Sequence, residues 1–244
     1  MIRDLLQTGA TVGLGVYMTG TLAPLAGALG LIDPRKADPI IRLYSQGLIT
    51  AAGIDVVTRG RENLPGGTCV IACNHQSNFD PFVIYSAVAK HMRFVAKAEL
   101  FRIPIFGQAM KAVGMVKVDR RGGESDLRTL SQAVSAVRER VSLIFFPEGT
   151  RSEDGALKPF KKGAAVMAIE AGVPLVPMAI AGTKEVLRKH TGLIRGGQRV
   201  VLKVGEALAT NGMQVEDRAA LTDRARSSIA RLLEEANAEL EADA

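Results

Sequence analysis

Apolar and polar positions divide this chain into two zones with different periods. From Leu5 to Ile32 no charged residue appears. As one helix this stretch outreaches the ~30 Å hydrocarbon core of a bilayer. Gly9, Gly13, Gly15, Gly20, Gly27, Gly30 and Pro24 make it a poor helix in water. A secretory leader fits badly, because Asp4 lies in the leading region and the apolar run is too long. A buried helix of a soluble core is a second reading, and membrane contact fits best. The Gly9-x-x-x-Gly13 spacing would let another helix approach closely. Asp33-Pro34 ends the run. Asp38-Pro39 then reads as an N-cap with Pro at N1, and Ile40, Ile41, Tyr44, Leu48 and Ala51 recur at helical spacing before Gly53. Residues 1–53 are therefore expected to form a two-helix membrane-associating unit. Spanning the bilayer and lying in its interface are not separated by this pattern.

Beyond Gly53 the pattern shortens and alternates. Strands are expected at Ile54–Val57, Cys69–Cys73, Arg93–Ala96, Met115–Val118, Val141–Phe146, Leu175–Ile180 and Val200–Val204. Helices are expected at Pro81–Ala89, Asp126–Arg138 and Lys162–Ala171, and from about Glu216 to Leu240, where Leu221, Ala225, Ile229, Leu232 and Ala236 form a stripe. This alternation predicts one α/β domain over 54–244, with a mostly parallel or mixed sheet flanked by helices. No internal repeat or low-complexity tract interrupts it.

Composition narrows the partners. The 244 residues carry a net charge of +6 and no Trp, with 47% hydrophobic and 5% aromatic residues. The core is therefore aliphatic, and the basic balance favours anionic partners. Nucleic acid is disfavoured, since no helix-turn-helix, zinc or RNP-type signature is present. An anionic membrane surface fits the apolar N-terminal run. Cys69 and Cys73, four apart in a strand, would have Cα atoms roughly 13 Å apart, whereas a disulfide needs less than about 7 Å. They read as small buried residues in a reducing compartment. Three His and two Cys give no convincing metal set.

Two segments carry chemistry. Asn74-His75-Gln76-Ser77-Asn78-Phe79-Asp80 follows the apolar run Cys69–Cys73, so His75 sits where a strand ends and a helix begins. Asp80, five residues on, can hold one imidazole tautomer and stabilise the imidazolium formed on proton abstraction. Phe145-Phe146-Pro147-Glu148-Gly149-Thr150-Arg151-Ser152 follows a second apolar run, with Pro and Gly turning the chain into a polar loop. These blocks, with Gly114-Met115-Val116-Lys117-Val118-Asp119-Arg120 and Val173-Pro174-Leu175-Val176-Pro177, resemble the glycerolipid acyltransferase family, and more narrowly its 1-acylglycerol-3-phosphate acyltransferases. Lys117 departs from the family pattern, which has an aromatic residue there.

The resemblance implies an enzyme at the cytoplasmic face of the cell membrane. It would move an acyl chain from acyl-CoA or acyl-carrier protein to the sn-2 hydroxyl of lysophosphatidic acid, giving phosphatidic acid, with no cofactor and no metal. The hydroxyl would attack directly, without an acyl-enzyme. His75 and Asp80 would be catalytic, and Glu148, Gly149, Thr150, Arg151, Arg120 and Lys97 would bind substrate. Arg120 and Arg151 are the leading candidates for the acceptor phosphate, since Arg can grip it with two parallel hydrogen bonds. Arg121, Lys161 and Lys162 read as solvated surface. Glu148 would touch the acceptor's glycerol, orient Arg151, or simply stabilise its loop. The chain has no Gly-x-Ser-x-Gly elbow. Cys73, two residues before His75, is a minor nucleophile candidate. Two rivals remain: the same chemistry on glycerol 3-phosphate or another lysolipid, such as a lyso-ornithine lipid, and a non-catalytic membrane-anchored lipid-binding protein.

Overall fold

The structure is a computed structural model, and it describes residues 2–118, 133–138, 140–188 and 190–242. Seven strands form one sheet: β1 (Asp55–Arg59), β2 (Val70–Cys73), β3 (Met92–Lys97), β4 (Val116–Val118), β5 (Ser142–Phe145), β6 (Leu175–Ala181) and β7 (Arg199–Val204), in the order β1-β7-β6-β2-β5-β3-β4. The run from β6 to β4 is parallel throughout, β7 is antiparallel to β6, and β1 lies parallel to β7. The expected α/β architecture is thus present as a mixed sheet, and each expected strand falls within a residue or two of a real one.

Period-2 alternation sorts the side chains onto two faces. Ile71, Cys73, Val176, Met178, Leu202 and Val204 join one core cluster, against Val83 and Ile84 of α3 (Asp80–Ala87). Val70, Ala72, Leu143, Ala179 and Val201 join the other. There they meet helix α5 (Gly163–Ala171) and a long C-terminal helix, α6 (Arg218–Ala242), whose Leu221, Ala225, Ile229, Leu232 and Ala236 form the expected stripe. Pro177 lies inside β6. The β6–β7 ladder starts at Met178, so its missing N–H is not needed there, and its carbonyl accepts from Gly205 N–H at 2.8 Å.

The N-terminal unit is α1 (Ile2–Ile32), a short 3₁₀ turn, and α2 (Asp38–Ala51). Asp38 does not cap α2 as expected. Its Oδ1 accepts from Arg93 at 2.6 Å and its Oδ2 pairs with His91 Nδ1 at 2.6 Å. Arg93 on β3 is 1% exposed and also donates to the carbonyls of Met92, Val113 and Pro34. A guanidinium that deep needs an anion, because an unpaired buried charge is strongly destabilising; tertiary demand outweighs the local capping preference. Ile49 and Ala52 also enter the first core cluster. The change at residue 53 is therefore one of architecture and not a break in packing.

Close helix approach occurs at Gly30, where an added Cβ would stand 2.8 Å from Ala112 O of α4 (Phe106–Ala112). Gly9 and Gly13 face open space instead. The sequence pattern does not predict α4, since Pro104 and Gly107 read as loop punctuation. The expected helix over Asp126–Arg138 is helical across 133–138, and its remainder lies outside the described residues. Leu5, Leu6, Val16, Tyr17, Leu31 and Ile32 leave much of α1 apolar and exposed, and the helix is long and apolar enough to cross a membrane.

Candidate active site

Parallel strands end on one edge, so Cys73, Phe145 and Lys97 deliver their following loops to the same side. The connection leaving β2 runs over the α3 face and the one leaving β5 runs over the α5 face. They diverge between two neighbouring strands, the position at which open α/β sheets place ligand crevices.

Just past β2, Asn74 continues the pairing with its side chain. Its Nδ2 donates to Ile180 O at 2.9 Å and its Oδ1 accepts from Ile180 N–H at 2.8 Å. His75 is then held through its backbone by the loop after β5. Its N–H donates to Glu148 Oε1 at 2.7 Å, and its carbonyl accepts from Ser152 N–H at 2.8 Å. The imidazole stacks on Phe146 at 4.1 Å between centroids, and Phe146 stacks on Phe94 at 5.4 Å.

His75 Nδ1 lies 2.7 Å from Asp80 Oδ2. Asp80 is fully buried as the first residue of α3, where the helix dipole favours an anion. Its Oδ2 also accepts from Gln76 N–H at 2.7 Å and Ser77 N–H at 2.9 Å, and its Oδ1 accepts from the Thr183 hydroxyl at 2.5 Å. That array requires an acceptor at Oδ2. In the neutral ring Nδ1 therefore carries the proton, and Nε2 is the basic nitrogen. The side chain of His75 is 18% exposed, so Nε2 can meet a ligand while Asp80 stays dry.

Glu148 turns out to join the two motif loops. Its Oε1 takes His75 N–H and its Oε2 takes Lys158 N–H at 3.0 Å. Burial is the main influence on its carboxyl and raises it, against the lowering by those two N–H groups. Gly149 adopts φ 71° and closes the turn through its N–H to Phe146 O at 2.9 Å, a left-handed conformation suited to glycine. Thr150 and Arg151 follow, half-buried, and the Arg151 carbonyl accepts from Lys158 Nζ at 2.9 Å.

A cavity of about 280 Å³ adjoins this centre through Phe146, with Lys97, Lys117, Lys161 and Gly149 in its wall among apolar side chains. Lys161 is exposed, as expected, and also borders this pocket, whereas Arg151 is outside that wall. Arg120 and Arg121 lie outside the described residues. Cys73 is fully buried, and its thiol is pushed well up by burial and by the nearby carboxylates of Asp80 and Glu148, so it is no thiolate nucleophile. A second cavity, about 390 Å³, lies by Asp38 and His91 at the opposite edge of the sheet, away from this chemistry.

Sequence reasoning missed Thr183 and Asn74. Thr183 follows β6 through Gly182, whose φ of 91° brings it so close to Arg199 O that an added Cβ would sit 2.4 Å away. No spacing rule links a residue 103 positions away to Asp80.

The Acyltransferase family profile matches residues 55–181. A chloroplastic 1-acyl-sn-glycerol-3-phosphate acyltransferase, BAT2 of Brassica napus, is 40% identical over 148 residues, covering 59% of this chain and 43% of that one. The alpha form from Ovis aries is 31% identical over 192 residues, covering 78% and 67% respectively. The chain spans less than half the length of BAT2 and of LPAT1 from Arabidopsis thaliana. The crystal structure of the 1-acyl-sn-glycerophosphate acyltransferase PlsC from Thermotoga maritima superposes with a TM-score of 0.80 at 30% identity, over 96% of both chains. With the profile covering half of the chain and the likeness to PlsC extending over nearly all of it, this protein belongs to the 1-acyl-sn-glycerol-3-phosphate acyltransferase family.

Proposed function

We propose that this protein is a membrane-associated O-acyltransferase that converts 1-acylglycerol 3-phosphate to phosphatidic acid at the cytoplasmic face of the cell membrane. The observation carrying the proposal is the His75–Asp80 pair at 2.7 Å, beside a cavity with both cationic and apolar lining. Nε2 of His75 takes the proton of the acceptor's sn-2 hydroxyl as its oxygen attacks the thioester carbonyl of acyl-CoA or acyl-carrier protein. Asp80 stabilises the imidazolium through Nδ1–H. Collapse of the tetrahedral intermediate forms the ester, breaks the C–S bond and releases the thiolate, which takes up the proton.

Lys97, Arg151 and Arg120 are the cations assigned to the acceptor phosphate. Lys117 in the cavity wall, where the family has an aromatic residue, favours a second reading in which the acceptor is glycerol 3-phosphate or another lysolipid. The exposed apolar side chains of α1 support the membrane location.

The test is acyl transfer by the purified protein to a panel of acceptors, with and without a phosphate monoester. His75→Ala should lower turnover by about 10²–10⁴-fold with folding retained. Arg151→Ala should cost roughly ten- to 100-fold in kcat/KM on phosphate acceptors, the loss of one charge-assisted contact, and much less on the others. Near-normal turnover by His75→Ala would sink the mechanism. Equal losses on both acceptor types would remove Arg151 from the phosphate site.

A further inference from the structure

We infer that the segment Ala98–Ile105 is a separate membrane-contacting element, seated in the bilayer beside α1. This rests on the proposed membrane location and names a new surface for it. The segment begins directly after Lys97 of the cavity wall and leads into α4. Leu100, Ile103 and Ile105 are 40%, 44% and 45% exposed, although each is large and aliphatic.

They are not displayed by a slack loop. Ile103 N–H donates to Leu100 O at 3.3 Å, Gly107 N–H to Ile103 O at 2.8 Å, and Ala109 N–H to Ile105 O at 2.9 Å. Gly107 packs so closely that an added Cβ would stand 2.3 Å from Phe101 O. Ile105 sits at φ 64°, an outlier for a β-branched residue, in a segment that holds its apolar tip outward. Strain of this kind points to a function for the conformation it maintains.

Continuity identifies the occupant. Helix α4 docks on α1 at Gly27 and Gly30, next to the exposed Leu25, Leu31 and Ile32. Helix α4 therefore joins the loop, at one of its ends, to the apolar helix α1 that it packs against. Arg102 and Lys111 are exposed beside it, against one acid, Glu99. Aliphatic tips flanked by cations suit an anionic lipid interface. A lipid acceptor leaving the bilayer there would meet Lys97 first.

The natural chain contains no Trp, so one introduced Trp reports alone. Ile103→Trp, Tyr17→Trp on α1 and Glu234→Trp on the exposed side of α6 would each be mixed, as full chains, with phosphatidylcholine–phosphatidylglycerol vesicles carrying dibrominated acyl chains. Emission from the Ile103→Trp and Tyr17→Trp variants should shift to the blue and be quenched, while that from Glu234→Trp should not. Ile103→Asp should lower vesicle affinity about tenfold or more, the loss of one buried aliphatic side chain. Quenching at position 17 without quenching at 103 would overturn the loop assignment and leave the membrane reading of α1 intact. Quenching at neither would remove both. A blue shift at 103 that needs no vesicles and grows with protein concentration would assign the surface to a second copy of the chain and overturn the inference.

Discussion

Asp80→Asn removes one negative charge while keeping the shape of the side chain. In a Ser-His-Asp triad such a change costs much of the rate by reversing the imidazole tautomer, and the sequence alone suggests the same here. The hydrogen bonds around Asp80 argue otherwise. The N–H groups of Gln76 and Ser77 both aim at Oδ2. The amide must place its oxygen there and turn its NH₂ toward Thr183, whose hydroxyl can rotate to accept. That oxygen still receives Nδ1–H, so the productive tautomer survives. What disappears is the charge. An ion pair about 4 Å apart is worth ~4 kcal/mol at an effective dielectric of about 20. The 18% exposure of the His75 side chain reduces this, and replacing a charged hydrogen bond by a neutral one costs about 1–1.5 kcal/mol. The expected loss is about 1.5–3 kcal/mol, or roughly 10- to 150-fold in kcat/KM. Asp80→Ala should do worse, because two buried N–H groups and the Thr183 hydroxyl lose their acceptor at about 1–3 kcal/mol each. Steady-state kinetics on 1-acylglycerol 3-phosphate, with Tm for each variant, separates the cases. Asp80→Asn as inactive as His75→Ala at unchanged Tm would mean that the ring had reversed. Asp80→Asn as active as the wild type would mean that the charge contributes nothing.

Glu148→Gln leaves one oxygen for two backbone N–H groups, so stability should fall by about 1–3 kcal/mol together with kcat; a raised acceptor KM at unchanged Tm would point to substrate contact instead. Because burial raises this carboxyl, the folded chain binds its proton more tightly than the unfolded chain. Its contribution is full below the ordinary glutamate range and is lost as pH rises through the raised value. The wild type's stability relative to Glu148→Gln should therefore decline as pH climbs through the weakly acidic range, and an increase would refute the assignment. Cys73→Ala should keep activity within a few-fold, and a thiol reagent should leave the folded protein untouched; abolished turnover would reopen a covalent route. Thr183→Val should lower kcat about tenfold by removing a charged hydrogen bond to Asp80, with recovery in Thr183→Ser; unchanged kcat/KM would show that Thr183 positions nothing.

The legible features are those in which local pattern and tertiary role coincide. Strands such as β2 and β6 are buried on both faces, so continuous apolar runs mark them. His75 and Asp80 are legible as a pair because one turn separates them. Asp38 misleads because its local signature is a helix cap, while Arg93, 55 residues away, claims its carboxylate. Glu148 is visible as a residue type, yet nothing in a sequence says which N–H its oxygens face. The structure supplies that step. Because β2 and β5 are parallel neighbours, with Val70 opposite Leu143 and Ala72 opposite Phe145, the loops that follow them must emerge side by side. Glu148 and Ser152 then grip the N–H and the carbonyl of His75 from across that gap. Two motifs that look independent along the chain are thus one hydrogen-bonded unit. An imidazole can be aimed only when its backbone is fixed, and here the loop after β5 fixes it while Asp80 fixes the ring.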